Sequence, residues 1–323
     1  MTNVLYWPAP APELEALARE LCPADVQLTF LPRSASETSV LEGLGEADCL
    51  FGTPPADVSL AVNVALGRLK LVQLLSAGYD TLDIDAMRGS EVVVCNNGGA
   101  NAISVAEHTI MMMLAVLRRL TEIDAGLHAG TYKRLGNADL HELCGRTVGL
   151  IGFGPVGREV ARRLTGFQTH TIYYDVVRAP ASVEAQLSAS FVEPEQLLTA
   201  SDIVSLHVPL NDQTRALINR DTLARLRPDA VLINTARGEL VDEPALATAV
   251  AEGRLLGAGL DVFSVEPPPP DHVLLRAGPR VIATAHNAGP TWESWPRRFA
   301  NAYANVARVA RGEPPQWVIP ELR

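Results

Sequence analysis

Cysteine is scarce in this chain: Cys22, Cys49, Cys95 and Cys144 are the only four in 323 residues, and none forms a CxxC pair. Metal or redox pairing is therefore not expected, and reduced thiols in a cytoplasmic protein follow. Histidine is little help to a metal either, because the seven lie without HxH or HExxH spacing. Long apolar runs are missing too. The longest, Ile110 to Leu117, is followed at once by Arg118-Arg119, far short of the ~20 residues that span a bilayer. Met1 to Pro10 has no basic start and no apolar stretch, so no signal peptide is expected. Positive charge is in the minority, 27 Lys and Arg against 37 Asp and Glu, a formal net charge of −10 without a basic cluster. Nucleic acid and anionic membrane are thus poor partners. A small anionic substrate needs local cations that override this field.

What is present is ordinary globular material, 47% hydrophobic and 20% charged. At ~100–200 residues per domain the length suggests two domains. Short β-rich runs come first: Val4 to Trp7, Val26 to Phe30, Cys49 to Phe51, Leu71 to Leu75 and Val92 to Val94. Between them lie segments such as Glu13 to Leu21, whose Leu14, Leu17, Ala18 and Leu21 have helical spacing. Alternating strands and helices mean βαβ units and a parallel sheet. Ser104-Val105-Ala106-Glu107 then reads as a capping box opening a helix to about Leu120. That helix is apolar nearly all round, so it belongs between layers or domains, or at a subunit interface.

A second series follows: Val148 to Ile151, Thr171 to Asp175, Ile203 to Leu206, Val231 to Asn234, Gly257 to Asp261 and Val281 to Thr284. Six continuous apolar runs predict a six-stranded doubly wound sheet in the order 3-2-1-4-5-6, covered on both faces. Trp292 to Arg311 reads as a last helix that returns to the first domain. The expected fold is therefore α/β with two domains, residues 1–100 completed by 290–323, and 101–289.

The first run of the second series leads into Gly152-Phe153-Gly154-Pro155-Val156-Gly157, a GxGxxG between a strand and a helix. Gly152 permits a tight turn, Gly154 leaves room for a pyrophosphate and Gly157 allows close helix–strand packing. The next run ends in Asp175, 18 residues beyond Gly157. A carboxylate there suits the two ribose hydroxyls of NAD(H) and repels the 2′-phosphate of NADP(H). Arg178, three residues on, is the counter-signal.

In an open α/β sheet ligands sit beyond the carboxyl ends of the strands. Arg237, Glu266 and His286 follow three successive runs, and in the expected order those strands are neighbours. A histidine suits taking the proton from a substrate hydroxyl. A buried carboxylate beside it fixes the ring and favours the imidazolium, and an arginine holds a carboxylate in a bidentate fork. His207, before Val208-Pro209, lines the cofactor cleft. His108, His128, His141, His170 and His272 are read as structural.

With these residues in hand the chain resembles the D-isomer-specific 2-hydroxyacid dehydrogenase family. The resemblance rests on Gly152 to Gly157, His207-Val208-Pro209-Leu210, Asn234-Thr235-Ala236-Arg237-Gly238 through Glu243, Asp261-Val262-Phe263 with Glu266-Pro267, and His286 with Gly289. Ser76 to Asp80 and Asn101 to His108 match in the first part. It implies a flavodoxin-like substrate domain and a Rossmann NAD-binding domain. It implies catalysis by Arg237, Glu266 and His286. It implies cofactor contacts at Gly152 to Gly157, Asp175, His207, Val208, Pro209, Thr214, Thr235, Ala236, Arg237, Asp261, His286 and Gly289. It implies substrate contacts at Ala77, Gly78, Arg237 and His286, and a homodimer built around the helix near 104–120. Ala285 before the histidine, Asn287 after it, and Trp292 and Trp295 depart from the family pattern in a loop beside the acid/base.

The implied activity is NAD-dependent interconversion of a small D-2-hydroxy acid and its 2-oxoacid, as a glyoxylate- or hydroxypyruvate-type reductase. Phosphoglycerate dehydrogenase is the nearest enzymatic alternative, and a chain that stops soon after Gly312 disfavours it. Phosphite dehydrogenase shares the three residues, and formate dehydrogenase is disfavoured by Glu266. An NAD(H)-sensing corepressor is the alternative of another class.

Overall fold

The computed structural model describes residues 1–52, 68–80, 82–88, 92–132, 135–136 and 139–322. It forms two compact units, Met1–Asn101 with Pro290–Arg323, and Ala102–Gly289.

The first unit is built on five parallel strands: β1 (Thr2–Tyr6), β2 (Val26–Phe30), β3 (Cys49–Phe51), β4 (Leu71–Gln73) and β5 (Val93–Cys95). Their order is β2-β1-β3-β4-β5, the flavodoxin-like arrangement. Its helices are α1 (Pro12–Glu20), α2 (Glu37–Glu46), the short α3 (Ile84–Met87) and the terminal α11 (Ser294–Ala310). One face of the sheet packs Leu5, Leu50 and Val72 with Val40 and Leu44 of α2. The other packs Val4, Phe51 and Leu71 with Ala18 of α1 and Phe299 and Val306 of α11. Both faces being covered explains why the strands read as unbroken apolar runs.

The second unit carries β6 (Thr147–Ile151), β7 (His170–Tyr174), β8 (Ala189–Phe191), β9 (Ile203–Leu206), β10 (Val231–Asn234), β11 (Gly257–Leu260) and β12 (Val281–Ala283). These seven parallel strands lie in the order β12-β11-β10-β9-β6-β7-β8. The sequence predicts six. The extra strand, β8, is three residues long with exposed Ser190 at its centre, so it shows no apolar run. It takes the edge place next to β7, and the run Ile203 to Leu206 therefore pairs with β6 rather than lying at the edge.

Helix α4 (Ala102–Leu117) also departs from expectation. It begins two residues before Ser104, so no capping box forms there, and Glu107 instead accepts from Arg163 at 3.1 Å. It stops at Leu117. Arg119 adopts a left-handed φ of 50°, and α5 (Leu120–His128) follows. The remaining helices are α6 (Pro155–Leu164), α7 (Ala181–Leu187), α8 (Pro194–Ala200), α9 (Arg220–Leu223) and α10 (Glu243–Ala251).

Helix α4 lies on β11, and the strand is cut to receive it. A Cβ on Gly259 would stand 3.0 Å from Met112 Cβ and 2.9 Å from Ile233 Cδ1, and one on Gly257 would stand 2.9 Å from Val116 Cγ1. Glycine in a strand interior weakens it locally, and here the gain is close backbone approach of a wholly buried helix face. Gly259→Val overpacks this contact and lowers unfolding stability by about 1–3 kcal/mol, read as a lower urea midpoint. Met112→Ala in the same molecule restores part of the loss, whereas equal losses with and without it contradict this packing.

Candidate active site

The phosphate-loop glycines have distinct steric roles. Gly152 follows β6 with φ +99°, and a Cβ there would lie 2.5 Å from His207 O. A Cβ on Gly157 would lie 2.2 Å from Gly152 O, so the helix seats directly on the turn. A Cβ on Gly154 would meet nothing within 4 Å. The space before the first amides of α6 is thus open, and such amides attract an anion. Pro155 starts the helix, where no amide is needed. Phe153 is buried and stacks on Tyr173 at 3.8 Å, and Val156 packs against the core.

Asp175 stands just past β7. Its Oδ2 accepts from Phe153 N at 2.7 Å and its Oδ1 from Val177 N at 3.3 Å, so it braces the glycine loop. A cavity of 660 Å³ opens beside it, lined by Gly154, Pro155, Asp175, His207, Val208, Pro209 and Thr214. Thr214 donates to Pro209 O at 2.7 Å, which shapes this wall. His207 pairs Nε2 with Ser205 Oγ at 3.0 Å, and burial pushes its pKa down to about 3. It is neutral at working pH, and its Nδ1 is buried without a hydrogen-bond partner among the described residues. Sequence reasoning missed the apolar lining from Pro194, Leu198, Leu217 and Ile218, since isolated apolar residues carry no signal. Open glycine space, helix amides and an acid beside a largely apolar cavity fit a dinucleotide.

The three candidate residues gather at the carboxyl edge of β10, β11 and β12. Register pairs Asn234 with Leu260 and Leu260 with Ala283, so the loops carrying Arg237, Glu266 and His286 leave side by side. Asn234 shapes the first loop, accepting from Ala236 N at 3.0 Å and donating to Arg237 O at 2.7 Å. Arg237 is half-buried and donates to Ala236 O at 2.6 Å. A Cβ on the next residue, Gly238, would lie 1.9 Å from Phe263 C. Only glycine lets the Arg237 loop touch the Glu266 loop.

Glu266 accepts from Phe263 N at 3.0 Å through Oε1 and holds His286 Nδ1 at 2.7 Å through Oε2. Contrary to the expected buried carboxylate, the pair is open, with side chains 36% and 49% exposed. The bond fixes the ring and leaves Nε2 for a ligand.

His286 has φ 54°, a left-handed conformation that costs a non-glycine residue about 1–3 kcal/mol. Asp261 holds it there. This fully buried carboxylate accepts from Thr284 Oγ1 at 2.5 Å, Asn287 N at 2.9 Å and Ala288 N at 2.9 Å. Its carbonyl accepts from His286 N at 2.8 Å. Asp261, expected at the cofactor, thus turns its side chain to the histidine loop. The hydroxyl of buried Thr235 meets Thr109 of α4 at 3.0 Å, and Gly289 is buried at the unit's end. His108, read as structural, lies 2.9 Å from Thr284 Oγ1 through Nε2.

In the first unit Ser76-Ala77-Gly78 follows β4. The carbonyls of Ser76, Ala77 and Gly78 accept from Asn97 N at 2.9 Å, Asn96 Nδ2 at 3.0 Å and Ser76 Oγ at 2.7 Å. This pins the loop while the described residues take nothing from the amides of Ala77 and Gly78.

Residues 110–288 match the family model for the D-isomer specific 2-hydroxyacid dehydrogenase, NAD binding domain. This chain belongs to that family. The glyoxylate reductase of Korarchaeum cryptofilum is 34% identical over 291 residues, covering 89% of this chain and 87% of that protein. The D-3-phosphoglycerate dehydrogenase of Mycobacterium leprae is 37% identical over 276 residues, covering 85% of this chain. The chain spans only 52% of that relative's length. The structure of D-lactate dehydrogenase with NAD+ from Lactobacillus jensenii superimposes with a TM-score of 0.81 at 26% identity, covering 99% of each chain.

The cofactor of this 2-hydroxyacid dehydrogenase is accordingly NAD(H). The Asp261 network generates a specific expectation. Thr284→Val keeps the shape and removes the hydroxyl that donates to Asp261. Turnover should fall about 10- to 100-fold through misplacement of His286, with NADH affinity unchanged. In a His286→Ala background the same change should cost nothing further. An equal loss in both backgrounds would show a general structural role.

Proposed function

We propose that this NAD-dependent dehydrogenase works as a reductase of a small 2-oxoacid of the glyoxylate or hydroxypyruvate type, forming the D-2-hydroxy acid. The observation that carries the reading is the His286–Glu266 pair at 2.7 Å, held at a strand edge beside the Arg237 loop. Bound at the glycine loop, NADH supplies the hydride for the keto carbon. Gly152 to Gly157 and Asp175 hold its pyrophosphate and ribose, and His207, Val208, Pro209 and Thr214 line the adjoining cavity. Arg237 takes the substrate carboxylate in its planar fork. His286 donates the proton from Nε2 to the oxygen of the former carbonyl, while Glu266 keeps Nδ1 engaged and balances the charge.

The test is steady-state NADH oxidation with a panel of 2-oxoacids. Highest kcat/KM with glyoxylate or hydroxypyruvate is expected. His286→Ala should cut turnover about 100- to 10,000-fold with NADH binding retained. No turnover with any 2-oxoacid, together with tight NADH binding, would favour a cofactor-sensing binding protein.

The homodimer reading is supported by apolar side chains left exposed on α4 and α5: Ile103, Met111, Leu120, Ile123 and Leu127. On α5 they recur at i, i+3 and i+7 and so share one helix face, and exposed apolar faces mark protein contacts where they are contiguous. Sedimentation should give a mass of about twice 34.7 kDa, and Leu120→Glu with Leu127→Glu should shift it to one copy. Four unpaired thiols support a reducing, cytoplasmic setting, which cell fractionation reads.

A further inference from the structure

Arg178 lies three residues past Asp175, where a cation is well placed to meet the 2′-phosphate of NADP(H). The structure directs it elsewhere. Its Nε donates to Glu184 Oε1 at 2.9 Å and its Nη2 to Glu184 Oε2 at 3.0 Å, a bidentate fork. The guanidinium also lies 5.5 Å from the ring centroid of Phe191 on β8. Asp175 and Val176 line the 660 Å³ cavity, and Arg178 does not.

Glu184 is itself held in place. Tyr173 Oη donates to Oε1 at 2.7 Å and accepts from Ala179 N at 2.9 Å. The carboxylate side chain is only 12% exposed, although that of Arg178 is 63% exposed. A solvent-exposed ion pair by itself is a weak anchor. This one has three features that strengthen it: fork geometry, an acceptor already positioned by a third side chain, and an aromatic face behind the cation.

We propose that Glu184 is a specificity-determining residue, holding Arg178 against Phe191 and so withholding the cation that a 2′-phosphate requires. Preference for NADH then rests on two carboxylates. Asp175 occupies the ribose position and repels the phosphate, and Glu184 neutralises and sequesters the guanidinium on that loop; Arg225, which also lines the cavity, is engaged by Glu195 at 2.6 Å. The inference rests on the NAD(H) reading of the glycine-loop site.

The test is binding of NADH and NADPH, followed by cofactor fluorescence, to the full chain carrying Asp175→Ser, which removes the first carboxylate. Adding Glu184→Gln should tighten NADPH about 5- to 20-fold and change NADH by less than about twofold. Adding Arg178→Met as well should abolish that gain. An equal gain with Arg178→Met present would mean that lost negative charge alone is responsible, and would overturn the proposal. So would no gain at all in a variant that still binds NADH. Thermal unfolding of each variant separates a folding defect from a binding effect, and Glu184→Leu repeats the test with the acceptor removed outright. If the unmodified chain binds neither cofactor, the NAD(H) reading itself fails.

Discussion

A single buried carboxylate, Asp261, sustains the geometry of the histidine loop. It lies at the end of a strand with no exposure to solvent, a position that is costly for a charge unless donors surround it. Hydrogen-bond donors come from the histidine loop, the Thr284 hydroxyl and the amides of Asn287 and Ala288, and His108 Nε2 of α4 stands 3.5 Å from the same carboxylate. Desolvation and loop strain therefore offset each other. The carboxylate needs the loop's donors, and the left-handed His286 needs the carboxylate to stay where it is. The departure Ala285 sits inside this span, and the buried network rather than a proline ring fixes the turn.

The same logic of close approach recurs along the sheet edge. Parallel strands deliver the loops at their carboxyl ends to one side, and only small residues let neighbouring loops touch. Gly238 does this between the Arg237 and Glu266 loops, and Gly157 does it between α6 and the first turn. Gly257 and Gly259 serve the opposite purpose, admitting α4 to the face of β11. Gly238 thus brings the arginine loop against the glutamate loop at one edge while the core remains close-packed.

Electrostatics divide along the carboxyl edge of the sheet. Beside the glycine loop carboxylates dominate: Asp175 braces the loop and Glu184 occupies Arg178. His207, in the cavity wall, is kept neutral by desolvation. At the carboxyl edge of β10 stands the guanidinium of Arg237, a local cation in a chain whose net charge is −10.

Much was legible in the sequence because its signals are local and periodic. Continuous apolar runs mark strands covered on both faces, and glycine spacing between a strand and a helix marks a phosphate loop. The strand-end positions of Arg237, Glu266 and His286 followed from the same runs. Three-residue β8 was not legible, because a short edge strand with an exposed centre has no pattern of its own. Nor was the true start of α4, where a capping-box spelling fell inside a helix begun two residues earlier. Asp261 and Thr235 carried the right residue types, but only tertiary packing decided which way their side chains turned. His108 likewise met Thr284 across 176 residues of sequence. Sequence by itself determined which groups reach the sheet edge, since strand register is written in local hydrophobicity. Orientation at that edge was decided by the tertiary structure, because it depends on which buried donor finds which acceptor, and those partners lie far apart along the chain.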